Sequence, residues 1–509
     1  MDKQTEGGVS VLATQGSITL FGNICGKVLG FVFAAIATRL VDPTDYGIYT
    51  LGLSIVIFIQ GFASLNIYRS VDYFIPQFIN ENEYGKAKMA LRNVIIIGLL
   101  SSMVGLAILL LSASTLADIF DKPQLAFVLS IFALLIPIQT INKILIASFN
   151  SIKNMTHRVI MKDILNPLSR IIAIIILISA GFGIVGLISG YLLGVVFSVF
   201  IGLILFVYEA DWFTHSETDQ ISNRDLLSYS LPLVLTGAIY ALVGQIDYFV
   251  IGYYIGSTEV GQYQIGFILA SNILIGLQAI TPVFKPIIAE NIHNTKIIES
   301  QFKLSTRWVT ILTIPPALTL ALAPDPYLSI LFTNQYTAAS VAVVPLSLGY
   351  LINASFGPEG MVLEGLGHTR LTLLNTFVLV STNGVLDLLL VPELGVLGAG
   401  IATGTALTVA GLVGVIEIYY IRGVHPYSAQ LMRVWVAIAF PLAVGIVMTS
   451  FLEGLLLIIT LPVFTLISFI LGLHIVGGFT SEDAKVADQF DQRIGYPVIK
   501  TLLMISMNK

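Results

Sequence analysis

Apolar residues in this chain come in runs of helical length, and short polar turns separate the runs. A helix needs about 20 mostly apolar residues to cross a bilayer. On that criterion fourteen spans are expected, at 17–38, 47–68, 90–112, 124–148, 164–182, 184–208, 231–255, 261–281, 305–325, 338–362, 371–391, 397–421, 430–450 and 453–476. The fold class that follows is an all-α polytopic membrane protein. Three stretches do not fit a span. Residues 69–89 read as an interfacial loop or helix, residues 209–229 are polar, and the tail, 477–509, carries a YPVIKTLLMISM segment expected to lie on the membrane surface.

The runs repeat. ATRLVDPTDYGIYTLG at 37–52 and IGYYIGSTEVGQYQIG at 251–266 align at an offset of 214, pairing Gly47 with Gly261, Gly52 with Gly266, Tyr49 with Tyr263 and Asp45 with Glu259. GFGIVGLISG at 181–190 and ELGVLGAGIA at 393–402 align at an offset of 212, and between these segments Pro137 falls opposite Pro345. Matches in one order at nearly one offset predict two homologous six-helix bundles with pseudo-twofold symmetry, 1–208 and 230–425. The stretch 209–229 is then a cytoplasmic linker, 426–476 an additional helix pair, and 477–509 a cytoplasmic tail. Such a duplication is the pattern of a transporter whose site lies between its repeats. The glycines of the repeated turns (Gly47, Gly52, Gly261, Gly266) and Pro137 and Pro345 within spans are the expected hinges.

Composition agrees with the pattern. Of 509 residues, 56% are hydrophobic and 11% charged, with mean hydropathy +0.90. A soluble domain carries about 25% charged residues. The net charge of −5 matters less than the placement of the charges. Lys and Arg gather in the loops on one side, from Arg69 and Lys86 to Arg422 and Arg433, while the other side holds Arg39 and Lys122. That asymmetry places both termini in the cytoplasm. The polar N-terminal residues lack a cleavage signal, so no signal peptide is expected. One cysteine excludes a disulfide framework, and six histidines without ligand spacing argue against a metal site. No P-loop motif is present. The chain is therefore expected to be no enzyme, and to need no cofactor beyond coupling to an H⁺ or Na⁺ gradient or the membrane potential.

Ionisable groups inside spans are costly, so each is a site candidate. Lys27 lies ten residues into the first span, about 15 Å from its inner end. Its side chain is too short to snorkel comfortably to either surface. Arg69, Lys143 and Arg170 are further cations that an anion could meet. Gln60, Gln139, Asn142 and Gln245 offer polar contacts for a sugar or for neighbouring helices. Asp247, in the seventh span, is the candidate for coupling or gating.

The ordered motifs ATRLVDPTDYGIY, SLPLVLTGAIYALVGQIDYFVIGYYIGSTEVGQY (230–263), LEGLGHTRL (363–371) and VPELGVLGAGIATG (391–404) resemble the Wzx-like polysaccharide exporters of the multidrug/oligosaccharidyl-lipid/polysaccharide (MOP) flippase superfamily. The resemblance covers about residues 12–425. It implies two bundles around a cavity open alternately to each side, and a polyprenyl-linked oligosaccharide as substrate. It also implies a prokaryotic plasma membrane, with glycosyltransferases or a polymerase of the same pathway as partners and no nucleic acid. GKVLGF at 26–31 is similar to the RVLGF pattern of lipid II flippases, which implies Lys27 as a headgroup contact, while Phe33 stands where that relative has a second basic residue. A cation-coupled drug exporter of the superfamily is the alternative, but spans one to six hold no central carboxylate. A membrane polymerase or ligase fits less well, since no large outer loop is available for a catalytic site.

Overall fold

Several helices begin or end at a proline, a glycine or a capping side chain. The computed structural model describes residues 3–215, 219–480 and 483, and every regular element among them is helical. Two compact units divide the chain at Gln264/Ile265. The first contains α1 (Lys3–Leu40), α2 (Pro43–Ala63), α3 (Tyr68–Asn80), α4 (Tyr84–Ile119), α5 (Pro123–Phe132), α6 (Leu135–Ser151) and α7 (Met155–Val159). It continues with α8 (Asn166–Ser179), α9 (Gly183–Glu209), α10 (Asp211–His215), α11 (Asn223–Ser230), α12 (Pro232–Leu242), α13 (Ile246–Tyr254) and the start of α14 (Ser257–Ser271). The second unit contains the rest of α14, then α15 (Ile275–Glu290), α16 (Thr295–Leu322), α17 (Pro324–Leu331), α18 (Ser340–Ala354) and α19 (Glu359–Gly365). It ends with α20 (Thr369–Leu394), α21 (Val396–Arg422), α22 (Ala429–Val436), α23 (Ala439–Phe451) and α24 (Gly454–Val476). The boundary falls beyond the expected 209–229 linker, so α12 and α13 pack with the first unit.

Among the described residues, ten helices are long and apolar enough to span a membrane, or twelve if two bent helix pairs each count as one span. The fourteen expected are not all continuous. In place of 164–182 there is a π-helical turn, Ile160–Leu165, followed by the 14-residue α8. Pro167 at its start cannot donate the backbone hydrogen bond a regular helix would need. The run 261–281 is interrupted by a 3₁₀ turn at Asn272–Leu274. The seventh run breaks between α12 and α13, where Gly244 takes φ 70°. Within the 69–89 stretch, residues to Asn80 belong to α3, a short amphipathic helix, and those from Tyr84 open α4. The apolar segment of the tail lies outside the described residues.

Large apolar side chains cover the helix exteriors: Leu111 is 85% exposed and Phe451 82%. In water such surface would drive aggregation, whereas hydrocarbon solvates it. Lipid gives helices no hydrophobic reason to associate, so close packing of small residues must hold them together. A Cβ added at Gly194 would lie 2.6 Å from the Arg170 backbone, and one at Gly190 2.9 Å from Ile174 N, so α9 rests directly on α8. In the second unit Gly400 and Gly404 of α21 meet Ala342 and Pro345 of α18 in the same way.

The repeated turns touch each other. Asp42 caps α2 by accepting from the Asp45 N–H at 2.9 Å, with Pro43 at the first helical position. Thr44 and Thr258, 214 residues apart, share a hydrogen bond of 2.9 Å between their hydroxyls. A Cβ at Gly47 would sit 1.7 Å from the Ser257 carbonyl oxygen, and one at Gly261 2.3 Å from the Pro43 carbonyl oxygen. Only glycine permits this backbone-on-backbone approach.

Candidate functional site

At its other end α2 turns sharply into α3. Leu65 and Asn66 both adopt left-handed backbone conformations, with φ 47° and 46°. Asn tolerates this region better than most residues. The turn aims the Asn66 amide at α12, where Nδ2 donates to the Leu233 carbonyl at 2.6 Å. Gly237 faces that amide so closely that a Cβ would be 2.1 Å from Nδ2. One turn on, Ser70 Oγ donates to the Leu226 carbonyl at 2.8 Å, and Tyr73 stacks on Tyr229 with ring centroids 4.4 Å apart. These contacts bind the α2–α3 elbow to α11 and α12.

Between α2, α6 and α12 lies a cavity of about 590 Å³. Its polar lining comprises Gln60, Asn66, Arg69, Gln139, Lys143 and Thr236, with the phenol rings of Tyr68, Tyr229 and Tyr240. Among the described residues, no Asp or Glu lines it. The two cations share one neighbour: the Arg69 guanidinium carbon is 5.4 Å, and Lys143 Nζ 5.8 Å, from the centroid of the Tyr68 ring. Neither forms an ion pair among the described residues. Beside the cavity, in α3, Asp72 accepts from Asn150 Nδ2 at 3.2 Å. Burial raises the Asp72 carboxyl above the usual carboxylate range, against the opposing pull of that hydrogen bond, Arg69 and Arg158.

Gln60, 3% exposed, is held by its Nε2, which donates to Thr140 Oγ1 at 2.9 Å. Gln139 and Lys143 lie one turn apart on α6 and so share a face. α6 itself begins directly after a break at Ala133–Leu134, with buried Pro137 at its third position.

The remaining sequence candidates lie elsewhere. Lys27, half-buried on α1, is not in this lining and has no hydrogen bond or ion pair among the described residues. Its neighbour Gly26 packs against Asp163 of the π-helical turn. Arg170 lies over the Tyr191 ring, 4.0 Å from its centroid, next to an aromatic cluster of Phe33, Tyr49 and Phe132. Asn142 is absent from the lining, and its Oδ1 is buried without a partner. Gln245 occupies the α12–α13 break. Asp247 is fully buried and accepts from the Tyr263 hydroxyl at 3.1 Å. Gly52 packs on Val128, Gly266 on Val343, and Pro345 against Gly400.

The structure thus gathers Arg69, Lys143, Gln60 and Gln139, and leaves Lys27, Arg170, Asn142, Gln245 and Asp247 outside this cavity. Sequence reasoning missed Asn66, Tyr68, Tyr229, Thr236 and Tyr240. An Asn just past the last apolar turn of α2 was a readable helix-end signal. Nothing in the polar linker marked Tyr229 as a cavity residue.

Known proteins share this architecture. A structure of the lipid II flippase MurJ in an inward closed conformation superposes with TM-score 0.73 at 16% identity, covering 91% of this chain and 98% of that one. An inward-facing multidrug resistance transporter of the MATE family gives 0.61 at 14% identity, over 81% and 98% of the two chains. At these identities the likeness establishes the fold. In sequence, the chain is 24% identical over 213 residues to the teichuronic acid biosynthesis protein TuaB of Bacillus subtilis, 42% of either chain. It is 23% identical over 188 residues to a probable low-salt glycan biosynthesis flippase, Agl15, of Haloferax volcanii, 36% of this chain and 40% of that one. The matches span about half the length, or less, of these curated relatives. A family model described as polysaccharide biosynthesis protein matches residues 36–341, more than half of the chain, and with the helical architecture above it establishes that the chain belongs to that family.

Proposed function

We propose that this protein is a flippase that carries a polyprenyl-phosphate- or pyrophosphate-linked oligosaccharide from the inner to the outer leaflet by alternating access. The observation that carries the reading is a cavity holding Lys143 and Arg69 with no carboxylate in its lining among the described residues. A cation such as Lys143 inside a membrane protein costs free energy unless something pairs with it, and Lys143 has no ion pair among the described residues, so that pairing is left to a ligand. An anionic headgroup supplies it. The amides and phenols around the two cations then replace the water that sugar hydroxyls lose on leaving the interface. The polyprenyl chain stays in lipid throughout. The family membership, the flippase Agl15 and the lipid II flippase fold support the same reading.

The headgroup contact falls to Lys143 and Arg69 in this reading, with Lys27 and Arg170 as cations available elsewhere along the path. The concentration of Lys and Arg in alternate loops supports cytoplasmic termini, and the relatives from Bacillus subtilis and Haloferax volcanii support a prokaryotic plasma membrane. Asp247 remains the candidate for coupling to an ion gradient. A drug exporter for cationic compounds would need carboxylates where this cavity has none.

The test is translocation of a fluorescent polyprenyl-phosphate sugar in proteoliposomes. A charge-assisted hydrogen bond is worth about 1.5–3 kcal/mol, so Lys143→Met is expected to weaken headgroup binding roughly ten- to hundredfold, and Arg69→Gln to add to the loss. A Lys143→Met/Arg69→Gln double variant that translocates at the rate of the unaltered protein overturns the reading.

A further inference from the structure

Gln60 presents its amide in one determined orientation. Thr140 Oγ1 donates its single proton to the Ile136 carbonyl at 2.9 Å, so toward Gln60 it can only accept. The Gln60 atom 2.9 Å away must therefore be Nε2 rather than Oε1. That leaves Oε1 as a buried acceptor without a partner, on a residue 3% exposed in the wall of the cavity that holds Lys143. Native proteins leave few such groups unpaired, and each one calls for an explanation.

We infer that Gln60 is a specificity-determining residue, whose Oε1 accepts a hydrogen bond from the sugar attached to the phosphate. The inference rests on the reading of the cavity as a headgroup site and deepens it: the substrate must bring a donor, a hydroxyl or an acylamino N–H, as well as an anion. A bare polyprenyl phosphate satisfies the cations and leaves Oε1 unpaired. A glycosylated one satisfies both. Because Thr140 already holds the amide, little rotamer freedom is lost when the sugar arrives. The arrangement therefore admits loaded carrier lipid and discriminates against the unloaded form. Gln60 acts here by touching the substrate.

The test uses the full chain in nanodiscs and three probes: a polyprenyl phosphate bearing one sugar, the same lipid with that sugar O-methylated, and the sugar-free lipid. The unaltered protein is expected to bind the free-hydroxyl sugar roughly tenfold more tightly than either of the others. Gln60→Met, of similar volume, should erase the advantage over the O-methylated probe, and thermal unfolding in detergent at the temperature of the unaltered protein shows that the variant is folded. A cycle over residue and ligand isolates the one hydrogen bond from the bulk of the methyl groups. Equal binding of all three probes by the unaltered protein overturns the Gln60 assignment, as does an advantage that survives in Gln60→Met. Failure of every probe to bind overturns the headgroup site and this inference with it.

Discussion

In the alternating-access reading proposed above, the contact between the repeated turns forms and breaks, and glycine at position 47 sets how closely it can form. In Gly47→Ala the new methyl would lie 1.7 Å from the Ser257 carbonyl oxygen, where real Cβ contacts essentially never fall below 3.0 Å. The obstacle is backbone, so no rotamer change relieves it. The turns must separate by more than 1 Å, and the Thr44–Thr258 hydrogen bond of 2.9 Å cannot survive that shift. Overpacking of this kind costs about 1–3 kcal/mol, which lowers the population of the closed arrangement roughly 5- to 150-fold. The assay is disulfide formation between Thr44→Cys and Thr258→Cys in a background where Cys25, the sole native cysteine, is Ser. The pair should cross-link readily with Gly47 present and at least several-fold more slowly with Ala there. The cross-link itself should stop translocation until reductant is added. Gly30→Ala is the control, since nothing lies within 4 Å of a Cβ there. An unchanged cross-linking rate in Gly47→Ala would refute the claim that this glycine governs closure.

Two further outcomes can be checked by thermal unfolding in detergent. Arg307, 3% exposed, is held by Asp483 at 2.5 and 2.7 Å and also donates to the Gly478 carbonyl at 3.2 Å and Thr480 Oγ1 at 3.0 Å. Asp483→Ala should cost about 3–5 kcal/mol, whereas Arg307→Met/Asp483→Leu should recover most of it, because the penalty is the stranded charge; equal losses in both variants would count against this. Asn66→Ala loses the bond to Leu233 and places a Cβ-bearing residue without a polar side chain at φ 46°, about 2 kcal/mol together. Asn66→Gly should recover the backbone share alone, and identical behaviour of the two would show that the turn carries no strain.

The 69–89 stretch stood apart in the sequence as an interfacial loop or helix because its polar residues interrupt the apolar runs, and Tyr68–Asn80 form the amphipathic helix α3 there. Span continuity was less legible. Hydropathy counts apolar residues but does not see that Pro167, Gly244 or the 272–274 turn interrupts the backbone ladder. For the site, Gln60, Gln139 and Lys143 were visible as polar groups in apolar runs and Arg69 as a cation just past one, but five residues that do not join them were equally visible. Lys27 and Lys143 look alike on that criterion.

Chain chemistry alone thus determined that the protein is helical and membrane-spanning, and which side chains are too costly to bury idly, because composition and period are properties of the order of residues. Which cations share a cavity was decided only by the tertiary structure. The rotation of each helix about its axis is set by what it packs against, and those partners are distant in sequence: Thr140 lies 80 residues from Gln60, and Leu233 lies 167 from Asn66. The unpaired acceptor on Gln60 is a fact of the same kind, since it exists only because a threonine on another helix has already spent its proton.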